Sequence, residues 1–448
     1  MIKVGLYLEN RSIHDVDLRH PEKGNPGVGG TEYNFVNMPF NFMRFFPGDV
    51  EFVFFANSVK HLPKNFLVFQ ADGFVSALQL AEENLCEILI WRPTLKEEVY
   101  GHLKAIEVSA MSVIGWIHNT PEIKVLDAMA NISNFKRFVA VSHEQIDLIR
   151  DHPIIYKTSL IVNGFDVETI PVAKKIKKDG DMVVYLGSLV KAKGFGLLAE
   201  VWPVILGRVP TAQLYVIGNG AVYNRGAVLG KWGVAEESFE ADSIRCNLSD
   251  AHGRVHSSVH FLGGLGSEKN EYLLKASVGV VNPSGLTENC PGSAIEFQAS
   301  ETPVVSVAKN GLLDTVVHNK TGLLGLSKDD LVENIVYLLN TPSAVKELGS
   351  KGRQFVLDKF SYQQVSALWL DVFKEIVEER RGAFVPMKEN VFYKRKWCRE
   401  LIRLTKAHLY SSSYGAELPI QSKISAEDEV FLESLSDFIS DVQSAADK

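Results

Sequence analysis

The chain has 448 residues, of which 46% are hydrophobic and 23% charged, as is usual for a globular protein of two or three domains. Its formal net charge of −7 argues against affinity of the whole protein for nucleic acid. The four cysteines show no C-x-x-C spacing, so the sequence indicates neither a zinc site nor a disulfide framework, and a reducing, cytoplasmic compartment is the expected location.

The N-terminal apolar run is too short for a signal peptide, and no stretch approaches the ~20 apolar residues of a membrane span. The protein is therefore expected to be soluble or bound peripherally to the cytoplasmic face of a membrane.

Short apolar runs alternate with helical patterns along most of the chain, which indicates parallel sheets with crossover helices. In the first half, helices are predicted to begin near Thr31 and at Ser142, where Ser-His-Glu-Gln has the pattern of a capping box. Two doubly wound domains with a ligand cleft between them are the predicted architecture. The predicted strands are 3–8, 51–56, 87–91, 112–116, 137–141 and 158–162, then, after a polar linker at 174–181, 182–186, 213–217, 259–262, 278–281 and 303–306.

Helices are predicted near 327–340 and 343–360, and a further helical pattern beyond Ser361 can return across the cleft. The predicted domains are an N-terminal Rossmann-like domain (1–170), a C-terminal Rossmann-like domain (171–360), a return helix (361–386) and a helical C-terminal extension (387–448).

Within the extension, 388–406 is basic with interleaved aromatic residues, which suits either an anionic membrane surface or a helix packed on the first domain. The acidic amphipathic pattern at 425–442 can pair with it within the chain or across a homodimer.

Two glutamates eight residues apart, Glu288 and Glu296, flank a loop that leads from an apolar strand into a helix. In parallel α/β sheets a ligand binds at the carboxyl end of such a strand, where the free N–H groups of the helix start favour a phosphate. Carboxylates accept hydrogen bonds from vicinal hydroxyls, so the pair would suit a nucleotide-sugar, with sugar rings on either side of a diphosphate. The alternative is a loop acid and a helix-start acid exposed to solvent.

Three further segments can meet an anionic ligand. The glycine-rich stretch 24–32 follows the first strand and opens a helix, although a surface turn is an equal alternative. Lys193 follows the first strand of the second domain and can neutralise charge on a leaving diphosphate. His118 ends a first-domain strand and faces either the cleft or a structural partner.

Four segments in the second half, 185–194, 210–220, 281–305 and 311–322, resemble the successive blocks of retaining glycosyltransferases of family 4. The first domain is similar more loosely, through Gly29-Gly30-Thr-Glu32, His118, Ser142 and 163–166. The resemblance implies a GT-B fold, with two Rossmann-like doubly wound domains facing a cleft and a C-terminal helical extension. In this fold 1–170 would be the acceptor-side domain and 171–360 the nucleotide-sugar donor domain. It also implies transfer of a sugar from a nucleoside diphosphate-sugar to a carbohydrate or lipid-linked acceptor.

The resemblance implies roles for individual residues. Glu296 would hold the ribose of the nucleotide, and Glu288 and His118 would lie near the transferred sugar. Lys193 would bind the phosphates, so that the implied catalytic residues are Glu288, His118 and Lys193. The implied donor-binding residues are Gly29, Gly30, Ser188, Lys193, Asn289, Cys290, Gly292, Ser293 and Glu296.

The chain departs from the family at Ser188, where an arginine is usual, so Lys193 would be the main cation at the diphosphate. No protein nucleophile and no metal are expected, and the D-x-D patterns at 15–17 and 179–181 are interpreted as solvated acids. No cofactor is expected beyond the donor, for which UDP is favoured over GDP. Two alternatives stay open: a non-catalytic, nucleotide-sugar-binding partner subunit, and a sugar-nucleotide epimerase of the same fold.

Overall fold

The strands form two parallel sheets in the computed structural model, which describes residues 1–149, 152–170, 178–220 and 228–380. The first sheet has the order β3-β2-β1-β4-β5-β6-β7, so the strand order reverses between β1 and β4. Its strands are β1 (Ile2–Leu8), β2 (Val50–Ala56), β3 (Leu67–Gln70), β4 (Ile88–Trp91), β5 (Ser112–Ile117), β6 (Phe135–Ala140) and β7 (Thr158–Leu160), and its helices are α1 (Gly30–Phe45), α2 (Phe74–Glu83), α3 (Glu98–Val108), α4 (Ile123–Asn131) and α5 (His143–Ile149).

The second sheet has the order β10-β9-β8-β11-β12-β13 and reverses between β8 and β11. Its strands are β8 (Asp179–Leu186), β9 (Gln213–Ile217), β10 (Val259–Gly263), β11 (Ala276–Val280), β12 (Val304–Val307) and β13 (Gly322–Gly325). The helices are α6 (Phe195–Arg208), α7 (Glu237–Glu240), α8 (Lys269–Lys275), α9 (Gly292–Ala299), α10 (Leu312–Thr315), α11 (Lys328–Asn340), α12 (Pro342–Phe360) and α13 (Tyr362–Val377).

The predicted pair of doubly wound domains is confirmed. Each sheet is covered on both faces by buried apolar side chains, which is why its strands read as continuous apolar runs rather than alternating ones. In such sheets ligands bind beyond the carboxyl ends of the strands, at the point where the strand order reverses. The loops that follow β1, β4, β8 and β11 are therefore the expected ligand-binding loops of this fold.

Two strands and one linker boundary differ from the prediction. The edge strand β3 was missed because it is short and exposed at both ends, and β13 because two of its four residues are glycine. Residues 179–181 belong to β8 rather than to the linker: Asp179 pairs with Ala276, and its carbonyl accepts a hydrogen bond of 2.6 Å from the Ser277 hydroxyl.

The long C-terminal helices cross from the second domain to the first. At the crossing, the backbone N–H of Phe165 donates to the carbonyl of Phe360 at 2.8 Å, so two chain segments that join the domains lie side by side. Helix α13 then packs on α1, and Trp369 meets Trp116 edge to face with ring centroids 5.1 Å apart. The first domain thus owes part of its core to the end of the described chain.

Residues 387–448, with the basic segment 388–406 and the acidic pattern 425–442, lie outside the described residues. In the part of the chain that the structure describes, no helix has the length and apolar character needed to cross a membrane.

The seating of α13 gives a first test. Trp369→Ala is expected to lower the free energy of unfolding by about 3–5 kcal/mol, because the side chain is fully buried and its removal leaves a large cavity. Leu368→Ala is the matched control, since Leu368 is the preceding residue of the same helix and is 43% exposed. Chemical denaturation measures both, and equal losses would contradict the packing of α13 described above.

Candidate functional site

The loop after β11 is held by the carboxamide of Asn282. Its Nδ2 donates to Oε1 of Glu288 (2.8 Å), to the carbonyl of Leu286 (2.8 Å) and to the carbonyl of Ala192 (3.2 Å). Asn282 itself has φ +30°, and Thr287 has φ +58°, which is costly for a β-branched residue. The loop is therefore fixed in an unusual conformation that ties Glu288 to the neighbouring loop after β8.

Lys193 completes this contact from the loop after β8. Its Nζ lies 2.6 Å from Oε1 of Glu288, and the two side chains are only 18% and 10% exposed. The buried hydroxyl of Tyr185 donates to the carbonyl of Lys193 at 2.7 Å, which holds the loop down. The ion pair places a cation and a carboxylate at the reversal point between β8 and β11.

Helix α9 begins at Gly292, immediately beyond this pair, and no side chain caps its first turn. Its first N–H groups can therefore meet an anion. Glu296 lies one turn further, where its Oε1 is 2.7 Å from Nζ of Lys269. Tyr33 of α1 faces the same region: burial raises the pKa of its hydroxyl, and the charges of Asp166 and Glu296 add to the shift. Both domains thus border Glu296.

His118 forms the opposite wall at the end of β5. Its Nε2 is 3.2 Å from Oδ1 of Asn163, and its backbone carbonyl accepts a hydrogen bond of 2.6 Å from Nδ2 of Asn289. Burial, reinforced by the positive charge of Arg92, lowers the pKa of the imidazole to about 4. His118 is therefore neutral at physiological pH and directly joins the loop that carries Glu288.

The glycine-rich loop after β1 leads into α1, which begins at Gly30 without a side-chain cap. Asn25 shapes the loop, since its Oδ1 accepts from the N–H groups of Gly27 and Val28 at 2.9 Å each. The carboxylate of Glu32 lies against Gly29, where a Cβ would collide with it, and its Oε1 is 2.5 Å from Nη1 of Arg92.

A buried carboxylate joins the domains beside the site. Oδ2 of Asp314 accepts from the backbone N–H of His143 at 2.7 Å, and its Oδ1 lies 3.0 Å from Nδ1 of the same residue. Asp314 belongs to helix α10, which begins directly after Gly311. The backbone N–H of Gly311 donates to the carbonyl of Glu288 at 2.8 Å. The interdomain contact and the site loop are therefore one connected structure.

Comparison with known proteins matches residues 166–355 to the family described as Glycosyl transferases group 1. Poly(ribitol-phosphate) alpha-N-acetylglucosaminyltransferase of Staphylococcus aureus is 25% identical over 48% of this chain and 41% of its own length. A GDP-mannose-dependent alpha-(1-6)-phosphatidylinositol monomannoside mannosyltransferase of Mycobacterium tuberculosis is 26% identical over 43% of this chain and 47% of its own. The chain spans about half the length of these curated relatives.

Two solved structures match almost the whole described chain. Sucrose-phosphate synthase of Thermosynechococcus elongatus superposes with a TM-score of 0.59 at 16% identity, covering 85% of this chain and 100% of that one. Anabaena HepE in complex with UDP-glucose gives a TM-score of 0.59 at 14% identity with the same coverage. The chain has the GT-B fold. Residues 166–355 are similar in sequence to glycosyltransferases of group 1.

The GT-B cleft brings together most residues that the sequence singled out. The described structure places Glu288, Lys193, Asn289 and His118 in one chain of contacts. Glu296 borders the same cleft but pairs with Lys269, and Ser188 lies in the loop of Lys193, its carbonyl 3.3 Å from the Tyr185 hydroxyl. Gly292 and Ser293 open α9, and Gly29 and Gly30 open α1.

Cys290 does not have the environment of a reactive thiol. Burial raises its pKa to about 12, so the sulfur stays protonated at neutral pH and cannot attack a sugar carbon. Nor do the two D-x-D patterns join a larger acidic group. Asp17 pairs with Arg19, and Asp181 accepts from the Thr211 hydroxyl. Across the described ranges, no three His, Cys, Asp or Glu side chains are grouped to hold a metal ion.

Several site residues escaped the sequence analysis. Arg92 and Lys269 lie outside the segments that carry the resemblance, and Asp314 lies in the segment 311–322 but was given no role. Arg92, Lys269 and Asp314 all have partners that are remote in sequence. The capping box at Ser142 is present in part. The Gln145 N–H donates to the Ser142 hydroxyl at 3.3 Å, but Oε1 of Gln145 accepts from Val141 at 2.8 Å instead of from Ser142.

The buried imidazole of His118 predicts a pH effect on stability. Its folded pKa of about 4 lies below the ordinary value near 6.5, so between these values the unfolded chain binds a proton that the folded chain does not. Stability should therefore fall as the pH drops from about 6.5, by roughly 1–2 kcal/mol at pH 5. His118→Asn should flatten that part of the profile in denaturation experiments. Identical profiles for the variant and the wild type would exclude a depressed pKa.

The interdomain carboxylate gives a second test of the site. Asp314→Asn should destabilise the protein by about 1–3 kcal/mol, because an amide cannot accept at both of its ends from His143. Asp127→Asn is the matched control, since Asp127 is 60% exposed and also contacts a histidine, His152. Its expected cost is below about 1 kcal/mol. Thermal unfolding compares the two, and a larger loss for Asp127→Asn would refute the role of Asp314.

Proposed function

We propose that this chain is a glycosyltransferase of family 4, which moves a sugar from a nucleoside diphosphate-sugar to an acceptor with retention of configuration. The observation that supports it most is the ion pair of Lys193 and Glu288. It lies between the uncapped start of α9 and the His118 wall, at the carboxyl edges of both sheets. A diphosphate needs a cation and free N–H groups, and a sugar needs acceptors for its hydroxyls.

Each chemical part of the donor has its own set of residues along the cleft. The carboxylate of Glu296 accepts from the ribose hydroxyls, the start of α9 and Lys193 hold the diphosphate, and Glu288 and His118 border the transferred sugar. Neutral His118 can offer a hydrogen bond without adding charge. When the donor binds, the Nζ of Lys193 exchanges part of its contact with the Glu288 carboxylate for a contact with a phosphate oxygen.

The reaction follows from these assignments. The acceptor hydroxyl forms a bond to the anomeric carbon on the face that the diphosphate leaves, while the bond from that carbon to the phosphate oxygen breaks. The acceptor proton passes to the departing phosphate, so no protein base or nucleophile is required. Lys193 and the N–H groups of α9 stabilise the charge that develops on the leaving group, and the cleft orients both substrates. No metal takes part in this scheme.

The relatives indicate the chemical class of the substrates more than their identity. The names of two of them specify anionic polymer or lipid acceptors, and HepE has been crystallised with UDP and with UDP-glucose. We propose a UDP-sugar as donor and a glycan or glycolipid as acceptor, in polysaccharide or glycoconjugate synthesis in the cytoplasm. Contact with a membrane through 388–406 stays a prediction on residues outside the described ranges.

A second candidate is a nucleotide-sugar-binding partner subunit without catalytic activity, which the uncharged Ser188 favours. Ser188→Arg separates the two. A large gain in turnover would indicate that catalysis has decayed in this chain, whereas an active wild type that gains nothing would exclude the second candidate.

Titration calorimetry with UDP-, GDP- and ADP-sugars tests the proposal. One donor class should bind to the wild type, and Glu296→Ala should weaken that binding by about 10- to 100-fold, because two hydrogen bonds to a charged acceptor are lost. Glu271→Ala is the matched control, since Glu271 also pairs with a lysine but is 66% exposed on α8. It should bind as the wild type does.

Once the donor is fixed, acceptor screens follow, and NMR of the product reports the configuration of the new linkage. A folded wild type that binds none of the nucleotide-sugars would refute the proposed function. An inverted product would refute the retaining mechanism alone.

A further inference from the structure

Arg92 is a cation of the first domain to which the proposed function gives no role. Arg92 directly follows β4, next to β1 at the reversal point of the first sheet, and the glycine-rich loop follows β1. Ligands of doubly wound domains bind at this point. The position of Arg92 in the first domain therefore corresponds to that of the site loops in the second.

The partner of Arg92 is a carboxylate at the start of a helix. Glu32 belongs to the first turn of α1, and its carboxylate lies against Gly29, where the uncapped helix start favours an anion. Phosphate groups are bound at such places in other proteins. In this structure the Glu32 carboxylate occupies this position, and Nη1 of Arg92 lies 2.5 Å from its Oε1.

Most N–H donors of the Arg92 guanidinium are not used by the described residues. Arginine has five N–H donors, and within the described residues Arg92 uses one of them, through Nη1 to a single oxygen of Glu32. The two side chains are 35% and 22% exposed, so a ligand can reach the pair. A guanidinium with free donors can form the two parallel hydrogen bonds that suit a phosphate.

Arg92 lies on the same wall of the cleft as His118, in the first domain. Its charge contributes to the lowered pKa of His118, and the His118 carbonyl contacts Asn289, the residue after Glu288. The second domain offers Lys193 at this place, while Ser188 adds no charge. His118 is neutral, so it does not make up the difference.

We infer that Arg92 binds the diphosphate of the donor, exchanging the Glu32 carboxylate for phosphate oxygens, and provides the positive charge that Ser188 lacks. The inference rests on the proposed function, because it requires a diphosphate in the cleft. Glu32 serves as the counter-ion of Arg92 while the site is empty. The diphosphate of the bound donor then meets one cation from each wall, Lys193 and Arg92, and this common ligand draws the two domains together.

Calorimetry on the full chain with UDP and GDP, and with uridine and guanosine as probes without phosphate, tests the inference. Arg92→Gln should weaken binding of the preferred diphosphate by about 10- to 100-fold and change nucleoside binding by less than about twofold. The diphosphate affinity of Arg92→Lys should lie between those of the wild type and Arg92→Gln. Lysine keeps the positive charge but cannot form two parallel hydrogen bonds to a phosphate. Glu32→Gln should strengthen diphosphate binding, since Arg92 no longer has to leave a carboxylate.

Two further variants make the test specific. Arg208→Gln is the matched control, since Arg208 also pairs with a glutamate, Glu333, on the surface of the second domain, and it should bind as the wild type does. Ser188→Arg combined with Arg92→Gln should recover at least tenfold in diphosphate affinity, because it restores the second cation from the other wall. Thermal unfolding checks that every variant is folded.

The outcomes separate the inference from the proposed function. If the wild type binds a nucleoside diphosphate and folded Arg92→Gln and Arg92→Lys bind it equally well, the inference is wrong and the proposed function stands. If the wild type binds neither UDP nor GDP, the proposed function fails and the inference with it. A loss of diphosphate and nucleoside binding in equal proportion would also overturn the inference, since it would show a general defect of the site.

Discussion

The arrangement of the site depends on one buried carboxylate, that of Asp314. It accepts hydrogen bonds from the other domain, at His143, and belongs to the short helix whose preceding residue holds the carbonyl of Glu288. A carboxylate taken out of water needs such partners, because an unsatisfied buried charge is costly. The requirement to satisfy Asp314 therefore fixes how the domains face one another, and the same contact fixes the loop on which the site is built.

The cations of the cleft have one property in common. Each is paired with a glutamate from a neighbouring loop or helix: Lys193 with Glu288, Lys269 with Glu296 and Arg92 with Glu32. Half-buried cations without counter-ions would repel one another and lose hydration. The acids thus neutralise and hold the cations in place in the absence of ligand. An anionic ligand can replace them with little change in the number of charge-assisted hydrogen bonds.

The sequence was sufficient for the architecture because parallel strands buried on both faces read as apolar runs, and helices read as longer periodic patterns. It also placed Glu288 and Lys193 in loops that follow strands, which parallel topology brings to one edge, and Glu296 in the helix that begins after one of these loops. What it could not provide are contacts set by tertiary packing. Arg92 meets Glu32 across 60 residues, and Asp314 meets His143 across 171, and neither spacing leaves a local pattern.

The same distinction explains the smaller differences. The missed strand β13 is held by pairing with β12 rather than by its own propensity, since it reads Gly-Leu-Leu-Gly. The carboxamide of Asn282 ties three segments of the site together, yet its importance depends on a backbone conformation, φ +30°, that no residue pattern announces.

The backbone hydrogen bond between Phe165 and Phe360 has a mechanical consequence. It ties the first domain, just before the chain leaves for the second, to the end of α12, where the chain comes back. Because both connections are fastened at one place, that place can serve as a pivot, and the domains have little freedom to slide past each other. A rotation about the pivot would widen or narrow the cleft and leave the contact of Phe165 with Phe360 intact.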